Sequence, residues 1–338
     1  MNVVRHALWF RAAGAEPRCY FRPGTPLFER LTAEGLHPVP VRKTLKYFDL
    51  PAAASLAARL KTDRVTGLIF FHTRDFHAAT LCKAVSRSKP TLVYQQHMQL
   101  GVDKKGPLHA WQFDKLDYWV APLEGLARQA QERANVAPDK LRVIPLAIET
   151  ARFSNLPSKS EARNRLGLPA DKTIFGIVGR LDPGKGQHVF VEAMRLLRKS
   201  GNDFVGVLFG DPTVGEHEKY ANALRSAACE YIRFFPARPD IETVFAALDV
   251  FVLCSRAETY GMVTLEALAA GTAVVATDSG GTPELLEYGK LGSLYPAGDA
   301  QALASVLLNP PPRPDGASIR EKYAPDKMVA AYLRLFEQ

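Results

Sequence analysis

Cysteine is scarce in this sequence, and its spacing is irregular. Cys19, Cys82, Cys229 and Cys254 lie far apart among 338 residues, and no CxxC pair occurs. Disulfide frameworks and zinc sites are built on closer, regular spacings. We therefore expect neither a disulfide framework nor a zinc site, and reduced thiols as in a cytoplasm.

Long apolar runs are also missing. No stretch of 18 consecutive apolar residues exists, which is about the length that a membrane-spanning helix needs, so no such helix is predicted. Arg5 and His6 stand where a secretion signal has its apolar stretch, so a cytoplasmic protein is expected. The hydrophobic share of 47% and the charged share of 23% exclude a disordered, collagen-like or coiled-coil chain.

Positive charge is concentrated in the first half of the chain. Residues 1–169 hold 26 Lys and Arg against 14 Asp and Glu, a balance of +12, whereas residues 170–338 have a balance of −4. A basic half attracts nucleic acid, an anionic lipid surface or a phosphorylated substrate, and a simple solubility bias is the alternative. No RNA-binding aromatic motif or zinc-finger spacing accompanies the basic residues, so nucleic acid is not an expected partner.

Short apolar runs alternate with helical patterns throughout the chain. Runs such as VFVLC and AVVAT do not alternate in polarity, which is typical of parallel strands covered on both faces. Strands are predicted near 17–21, 36–41, 66–72, 91–95, 117–121, 142–146, 173–179, 204–209, 231–235, 249–254, 273–277 and 292–295. Helices between them are predicted, for example, at 185–199, 240–248 and 261–270. This alternation, present twice, predicts an α/β protein with two Rossmann-like, doubly wound parallel-sheet domains.

Segments without strand character suggest the domain limits. Residues 147–172 separate a first domain, 1–150, from a second, 151–317, and the Pro-rich segment 309–317 ends the second pattern. The C-terminal segment 318–338 is predicted to form one last amphipathic helix, in a position to cross back to the first domain.

The N-terminus departs from the usual pattern of a doubly wound domain. Val3, Ala7, Leu8 and Phe10 follow a helical period, and neither a strand nor a Gly-rich turn precedes them. We expect the first sheet to lack its first strand, which is commonly central, together with the turn that follows it. The alternative is that the true start lies upstream.

The first candidate site is GRLDPGKG, residues 179–186, between a predicted strand and a predicted helix. Glycines allow the backbone to approach an anion, and a helix N-terminus offers free N–H groups. The Arg180 guanidinium provides a bidentate fork and Lys185 a point charge, which together suit a diphosphate. A tight turn with two surface cations is the alternative.

The second candidate site contains two glutamates eight residues apart, Glu258 and Glu266. Glu258 lies in the loop after the strand at 249–254, where open α/β sheets bind ligands, and Glu266 lies in a helix that starts near Gly261. A carboxylate at 266 would suit two vicinal ribose hydroxyls. Two exposed acids flanking a helix are the alternative, although an unpaired charge in the apolar stretch 265–269 is costly.

The third candidate site is DSGGTPE, residues 278–284, which again runs from a strand through a Gly turn to a helix. Thr282 is the expected N-cap and Pro283 the expected first helical residue. Alone, this segment is an ordinary helix cap. Its position directly after the glutamate pair makes it a candidate.

The three segments together resemble the retaining glycosyltransferases of family 4, also called glycosyl transferases group 1. Their fold is GT-B, two Rossmann-like domains facing a cleft. The order GR…KG, DVFVLCSRAETYGMVTLEALAAG, VVATDSGGTPELLEYG and LYPAGD is similar to the donor-binding domain of that family over about residues 173–305. The first half matches more loosely, through HTRDFH, through His97 and through IPLAIETARF at the domain junction.

The resemblance implies roles for individual residues. Donor-binding roles fall on Gly179, Arg180 and Lys185 at the diphosphate, Glu266 at the ribose, Tyr260, Gly261 and Met262 at the sugar, and Arg238, with its neighbours 236–237, at the base. Catalytic roles fall on Arg180, Lys185, Glu258 and His97. For His97 a packed or surface histidine is the alternative, and His72, His77 and Asp75 are weaker acceptor-side candidates.

The resemblance further implies a retaining hexosyltransferase. It would move a sugar from a nucleotide diphosphate sugar, with UDP-sugar favoured, to a hydroxyl of a glycolipid, polysaccharide or lipopolysaccharide intermediate. Side-chain cations and helix N-termini would neutralise the leaving diphosphate, so neither a metal nor a cofactor beyond the nucleotide sugar is expected. The basic first half would be the acceptor domain, facing an anionic membrane at its inner surface. Alternatives are a catalytically impaired GT-B protein that binds nucleotide sugar, an epimerase or a phosphorylase.

Overall fold

The computed structural model describes residues 2–42 and 49–337. Contacts within the chain divide it into two compact units. Unit 1 comprises the residues up to Ala147 together with the segment from Pro325 onward, and unit 2 is Ile148–Ala324. The chain therefore leaves unit 1 once and returns to it at the C-terminus.

Unit 1 alternates strands and helices. Its strands are β1 (Tyr20–Phe21), β2 (Val39–Pro40), β3 (Gly67–Phe70), β4 (Thr91–Gln95), β5 (Tyr118–Ala121) and β6 (Leu141–Val143). Its helices are α1 (Asn2–Ala12), α2 (Pro26–Ala33), α3 (Leu50–Thr62), α4 (Phe76–Val85), α5 (Pro107–Asp114), α6 (Glu124–Ala134) and the last helix of the chain, α15 (Pro325–Phe336).

Unit 2 follows the same alternation. Its strands are β7 (Thr173–Val178), β8 (Phe204–Phe209), β9 (Ile232–Phe235), β10 (Val250–Leu253), β11 (Ala273–Thr277) and β12 (Ser293–Tyr295). Its helices are α7 (Lys159–Leu166), α8 (Gln187–Lys199), α9 (Glu218–Ala227), α10 (Ile241–Ala247), α11 (Met262–Ala269), α12 (Thr282–Leu285), α13 (Ala300–Leu308) and α14 (Gly316–Lys322). All twelve predicted strands are confirmed, as are the predicted N-terminal helix and the three helices between strands.

The sheet of unit 2 is wholly parallel, in the order β12-β11-β10-β7-β8-β9. Every residue of β8, β10 and β11 is buried, as the unbroken apolar runs predicted, because helices cover both faces. The strand order reverses between β7 and β10, which are hydrogen-bonded neighbours. Ligands of open α/β sheets bind at such a reversal, beyond the carboxyl ends of the strands.

The described residues of unit 1 form two parallel sheets rather than one. One sheet contains β1 and β2, and the other has the order β3-β4-β5-β6. Helix α15 packs with α1 against β4, β5 and the segment directly after β6, and it buries Val329 and Tyr332 among Val93, Val120 and Ile144. The described strands of unit 1 are thus divided between two sheets, whereas the six strands of unit 2 form one.

The expectation of a single C-terminal helix over 318–337 is wrong. The segment forms α14 and α15, with a break at Tyr323 and Ala324. The break lies directly before Pro325, which lacks an N–H group and disfavours helical backbone in the residue before it. As a result α14 packs on α11 in unit 2, whereas α15 belongs to unit 1.

In the part of the chain that the structure describes, no helix has both the length and the apolar character needed to cross a membrane. The four cysteines carry free thiols, and Cys19, Cys82 and Cys254 are buried. Burial raises the pKa of the Cys82 thiol to about 12 and that of Cys254 to about 12. Both therefore remain protonated near neutral pH.

An ion-pair cluster around Asp249 fixes the start of β10 in unit 2. Asp249 accepts hydrogen bonds from the backbone N–H of Ile174 (2.7 Å) and from Arg163 Nη2 (2.6 Å), and it also pairs with Lys159. The Arg163 side chain is only 3% exposed. Burial alone would raise the pKa of Asp249, but its partners outweigh burial and lower the pKa below the ordinary 3.8.

We expect Asp249→Ala to lower the free energy of unfolding at pH 7 by about 3 kcal/mol, because it leaves a buried guanidinium uncompensated. A carboxylate with a depressed pKa in the folded state stabilises above its unfolded pKa and loses that effect as the pH falls. The difference between wild type and variant should therefore shrink below about pH 4. Urea unfolding at several pH values measures it. Asp203→Ala, which removes a solvent-exposed ion-pair partner, is the control, and an equal loss there would contradict the role of burial.

Candidate functional site

The candidate site lies at the carboxyl edge of the unit 2 sheet, at the reversal between β7 and β10. Three loops reach this edge: residues 179–186 after β7, residues 254–261 after β10 and residues 278–281 after β11. These are the three segments that the sequence singled out. The structure brings them together through direct contacts.

The first loop places two cations at different depths. Arg180 is exposed, and its Nη1 donates to Thr213 Oγ1 at 3.2 Å. Its backbone carbonyl accepts from the buried Gln187 side chain at 2.7 Å. The Asp182 carboxylate accepts from the Gly184 N–H at 2.8 Å and holds the turn that carries Lys185. The loop is thus fixed by hydrogen bonds while the Arg180 guanidinium stays open to solvent.

Lys185 joins the first loop to the second. Its Nζ lies 2.7 Å from Glu258 Oε2, with the two side chains 32% and 16% exposed. A backbone hydrogen bond from Arg256 N–H to the Gly184 carbonyl (3.0 Å) links the same two loops. The ammonium group is therefore positioned over the strand reversal.

Glu258 also joins the second loop to the third. Its carbonyl accepts from the Gly281 N–H at 2.8 Å. Gly280 has a φ of +63°, and a Cβ there would overlap the Glu258 backbone. Only glycine combines this left-handed backbone with so close an approach, so the DSGG turn is needed to seat the Glu258 loop.

The amino end of α11 faces the same edge. Gly261, with a φ of +87°, precedes this helix, and no side chain in the described ranges caps it. The first N–H groups of such a helix have no partner within it and suit an anion. Tyr260 is 4% exposed. Glu266 is half-buried one turn further along.

Three buried hydroxyls at this edge have no hydrogen-bond partner among the described residues. They belong to Ser255, Thr264 and Thr282. The prediction that Thr282 caps α12 is wrong, because Gly281 occupies the cap position and Thr282 is the first helical residue. Leaving a buried hydroxyl unpaired costs about 1–3 kcal/mol. Neither Ser255 nor Thr264 could be recognised from the sequence, because their burial depends on tertiary packing.

Arg238 follows a strand that does not carry the Lys185–Glu258 ion pair. It follows β9, the far edge strand, and its guanidinium forms two 2.9 Å hydrogen bonds with Asp240. Its neighbours Pro236 and Ala237 are exposed, and the Ala237 N–H donates to Asp211 at 3.0 Å. The backbone of 236–237 therefore presents a surface to solvent, whereas the Arg238 side chain is engaged.

The histidine candidates lie in unit 1, after β3 and β4. His97 is half-buried and stacks on Phe71 with ring centroids 5.5 Å apart, and burial lowers its pKa to about 4. His72 accepts from the Arg74 N–H at 3.2 Å, and His77 contacts Gln112 at 2.8 Å. Asp75 is exposed in the short 3₁₀ turn Thr73–Asp75. Because burial lowers its pKa to about 4, His97 is neutral near pH 7.

Metal-ligating side chains do not converge in the described ranges. No group of three or more His, Cys, Asp or Glu residues in 2–42 and 49–337 is placed to hold a metal ion.

Two family models match the chain in succession. Residues 3–152 match Glycosyltransferase Family 4, and residues 158–309 match Glycosyl transferases group 1. Together the matches span nearly the whole chain, with one model on each half.

Curated relatives align mainly with part of the chain. A D-inositol 3-phosphate glycosyltransferase of Acidothermus cellulolyticus is 34% identical over 192 residues, 54% of this chain and 42% of the relative. The lipopolysaccharide core biosynthesis mannosyltransferase LpcC of Rhizobium leguminosarum is 32% identical over 170 residues, 49% of this chain and 48% of the relative. The chain thus spans less than half the length of these two relatives.

Solved structures match almost the entire chain. A glycosyltransferase from Rickettsia africae has a TM-score of 0.85 at 18% identity, covering 99% of this chain and 93% of that one. Anabaena HepE in complex with UDP and glucose has a TM-score of 0.69 at 20% identity, covering 98% and 95%. These likenesses show the fold, which is GT-B with two Rossmann-like domains.

We expect Gly280→Ala to destabilise the protein by about 2–4 kcal/mol, since it adds left-handed backbone strain and overlap with the Glu258 backbone. Gly298→Ala is the matched control, because Gly298 has a φ of +87° and open space around a Cβ, and it should cost about 1 kcal/mol. Urea unfolding of both variants measures the difference. Equal losses would show that the approach of the third loop to Glu258 is not close.

Proposed function

We propose that this chain, which belongs to glycosyltransferase family 4, transfers a sugar from a nucleotide diphosphate sugar to a hydroxyl acceptor, with retention of configuration at the transferred carbon. The observation that carries the proposal is the Lys185–Glu258 ion pair at the reversal between β7 and β10. At this edge a fixed cation, the first N–H groups of α11 and the glycine turns lie together, where a pyrophosphate would bind.

The proposed chemistry is electrostatic. The bond between the sugar and the diphosphate breaks as the acceptor hydroxyl attacks, and negative charge grows on the leaving phosphate. Lys185, Arg180 and the amide groups near Gly179 stabilise that charge, so the proposal includes neither a metal nor a further cofactor. The leaving diphosphate takes the proton of the hydroxyl on the same face. Glu258 keeps Lys185 in place before the donor binds.

The donor contacts follow from the remaining groups at the edge. Glu266 takes the ribose hydroxyls, the amides of Tyr260, Gly261 and Met262 orient the sugar, and the exposed backbone before Arg238 lies against the base. A UDP-sugar is favoured, in line with the UDP and UDP-glucose complexes of Anabaena HepE. Ser255 and Thr264 are additional candidates for sugar or phosphate contacts, because their hydroxyls are buried and unpaired in the described structure.

Unit 1 is proposed to receive the acceptor. Its sequence carries most of the positive charge, and neutral His97 can accept a hydrogen bond from a sugar hydroxyl. The named activities of relatives, lipopolysaccharide core mannosyltransferase and inositol 3-phosphate glycosyltransferase, favour a glycolipid or polysaccharide intermediate as acceptor. The enzyme would then work in the cytoplasm, at the inner face of the membrane.

One observation favours a second candidate, a protein that binds nucleotide sugar with impaired turnover. The described residues of unit 1 form two parallel sheets, whereas those of unit 2 form one. Lys185, Glu258 and Glu266 argue for catalysis, so the two candidates differ in turnover rather than in donor binding.

We expect a nucleoside diphosphate to raise the Tm of the wild type, because a ligand that binds only the folded state stabilises it by about 2.7 kcal/mol at 100 times its Kd. UDP, GDP and ADP are compared by thermal shift. Arg180→Met and Lys185→Met should lose most of the shift and lower transfer on the order of 10²-fold, whereas Lys199→Met, at an exposed lysine of unit 2, should change neither.

The outcomes separate the candidates. A shift with neither donor hydrolysis nor transfer would support the impaired binder, and absence of any shift would contradict both candidates. Transfer that survives EDTA and yields a product of unchanged anomeric configuration would support the proposed chemistry. Loss of transfer with EDTA, or inversion, would contradict it.

We expect the protein to bind vesicles that contain phosphatidylserine and not vesicles of phosphatidylcholine alone, because each basic residue near an anionic surface contributes about 1 kcal/mol. The loop that holds Lys104 and Lys105 also exposes Met98 (73%) and Val102 (64%). Replacing both lysines by Gln should weaken binding on the order of tenfold in flotation assays. The same change at Lys199 and Lys219 is the control, and equal binding to both vesicle types would contradict the expectation.

A further inference from the structure

We propose that a small cavity in unit 1, between the first turns of α4 and α5, binds a phosphate monoester carried by the acceptor. Lys104, Thr73 and His109 are the groups that would hold it. The inference deepens the proposed function and rests on it in one respect, because it names a chemical group of the acceptor. The cavity and its charges do not depend on the donor chemistry.

The cavity measures about 60 Å³, and all the residues that line it belong to unit 1. Thr73 reaches it from the turn after β3, and His77 from the first turn of α4. Lys104 reaches it from the loop after β4, and His109 from the first turn of α5. A single water needs roughly 10–15 Å³, so the space holds about four to six atoms of that size. A phosphate group, with four oxygens around one phosphorus, matches this size.

The lining of the cavity carries no negative charge. None of its nine residues, all of them in the described ranges, is Asp or Glu. One wall consists of Phe76, Phe113 and Trp119, whose rings are buried in one core cluster together with Leu100. An apolar wall screens charge less than water does, so an anion beside Lys104 is bound more strongly there than at an open surface.

Lys104 has no negative partner in the part of the chain that the structure describes. The residue is half-buried, and its ammonium group forms neither an ion pair nor a hydrogen bond with the described residues. Its neighbour Lys105 pairs with Asp103 at 3.8 Å, and Lys115 pairs with Asp114 at 3.0 Å. Removing a charge from water is unfavourable unless an opposite charge offsets it. An anion in the cavity would supply that opposite charge.

His109 is a second group that an anion would stabilise. Burial lowers the pKa of its ring below the ordinary value, and the Lys104 ammonium nearby lowers it further. Two groups that repel each other when both are charged therefore face one cavity. A phosphate between them would offset that repulsion and raise the pKa of His109.

The amino end of α5 lies beside the same cavity, since His109 belongs to its first turn. Gly106 occupies the cap position, and no side chain of the described residues caps the helix. Pro107 is the first helical residue and has no N–H group. The N–H groups of Leu108 and His109 therefore have no acceptor within the helix. Such groups, together with the helix dipole, favour an anion.

Hydrogen bonds hold the walls of the cavity in place. The Gln112 side chain, only 2% exposed, contacts His77 Nδ1 at 2.8 Å. The backbone N–H of Lys104 donates to the Arg133 carbonyl at 2.6 Å, and Arg133 Nη1 donates to the Leu100 carbonyl at 3.0 Å. The loop after β4 is thus tied to α6 at two points. Walls that are already ordered reduce the entropic cost of binding a ligand.

The test follows the histidine ring signals by NMR during titration with inorganic phosphate, in protein labelled with nitrogen-15 in its histidines. Single His→Gln variants assign the signals. We expect the rings of His77 and His109 to shift with one common affinity. Lys104→Gln should weaken that affinity on the order of tenfold, because a charge-assisted hydrogen bond is lost. Lys61→Gln, at an exposed lysine of α3 outside the cavity, should leave it unchanged.

A second titration distinguishes two sources of the phosphate monoester. Glycerol 3-phosphate and bicelles that contain phosphatidic acid carry this group in soluble and in lipid form. Shifts with glycerol 3-phosphate alone would assign a soluble phosphorylated acceptor. Shifts with the bicelles as well, weakened by Lys104→Gln, would assign a lipid. Both outcomes support the proposed site.

Two outcomes would overturn the proposal. One is the absence of a shift in either ring with phosphate up to about 10 mM, ten times a millimolar Kd. The other is equal affinity of the wild type and Lys104→Gln, provided that the ring signals of both proteins agree before phosphate is added. Failure of the proposed function differs from both, because UDP would then give no thermal shift while His77 and His109 would still respond to phosphate.

Discussion

The contact between Lys185 and Glu258 connects the loops that follow two neighbouring parallel strands. Parallel strands deliver their loops to one edge, and a reversal of strand order leaves room there for a ligand. The pair neutralises each partner without placing either fully in the interior. The glycines around it allow the backbones of the second and third loops to touch, so the pair, the helix end at Gly261 and the unpaired hydroxyls form one polar edge on an otherwise apolar layer.

The two units share one architecture but differ in the continuity of their sheets. Each consists of parallel strands with helices packed on them. Unit 2 closes its core around a central first strand, β7, whose neighbours on both sides are present. Unit 1 has comparable helices and a well-packed aromatic cluster around Phe76, Tyr94 and Trp119, but its described strands form two separate sheets. Its helices α1 and α15 are nevertheless held in place by the larger sheet.

Much of this architecture could be predicted from the sequence, because unbroken apolar runs such as AVVAT are specific to strands buried on both faces. The three loops could also be recognised from their glycines, their charged residues and their positions directly after predicted strands. The remaining features depend on tertiary contacts. The sequence predicts that the Arg238 side chain can bind a ligand, whereas in the structure its guanidinium is hydrogen-bonded to Asp240. The hydroxyl of Thr282 suits a helix cap, but the helix begins one residue earlier, with Gly281 at the cap position. Pro325 itself indicates the helix break that precedes it, but the helical spacing of apolar residues continues across that position and favours one uninterrupted helix.

The return of the chain to unit 1 through α15 affects how the protein is made. Helix α15 supplies Val329 and Tyr332 to the core of unit 1, so that core is incomplete until α15 has been synthesised. Unit 2, by contrast, is one uninterrupted segment. On a ribosome unit 2 can therefore reach its native packing before unit 1, because the core of unit 1 requires α15, which follows unit 2 in the chain. This reverses the usual N-terminal-first order of domain folding.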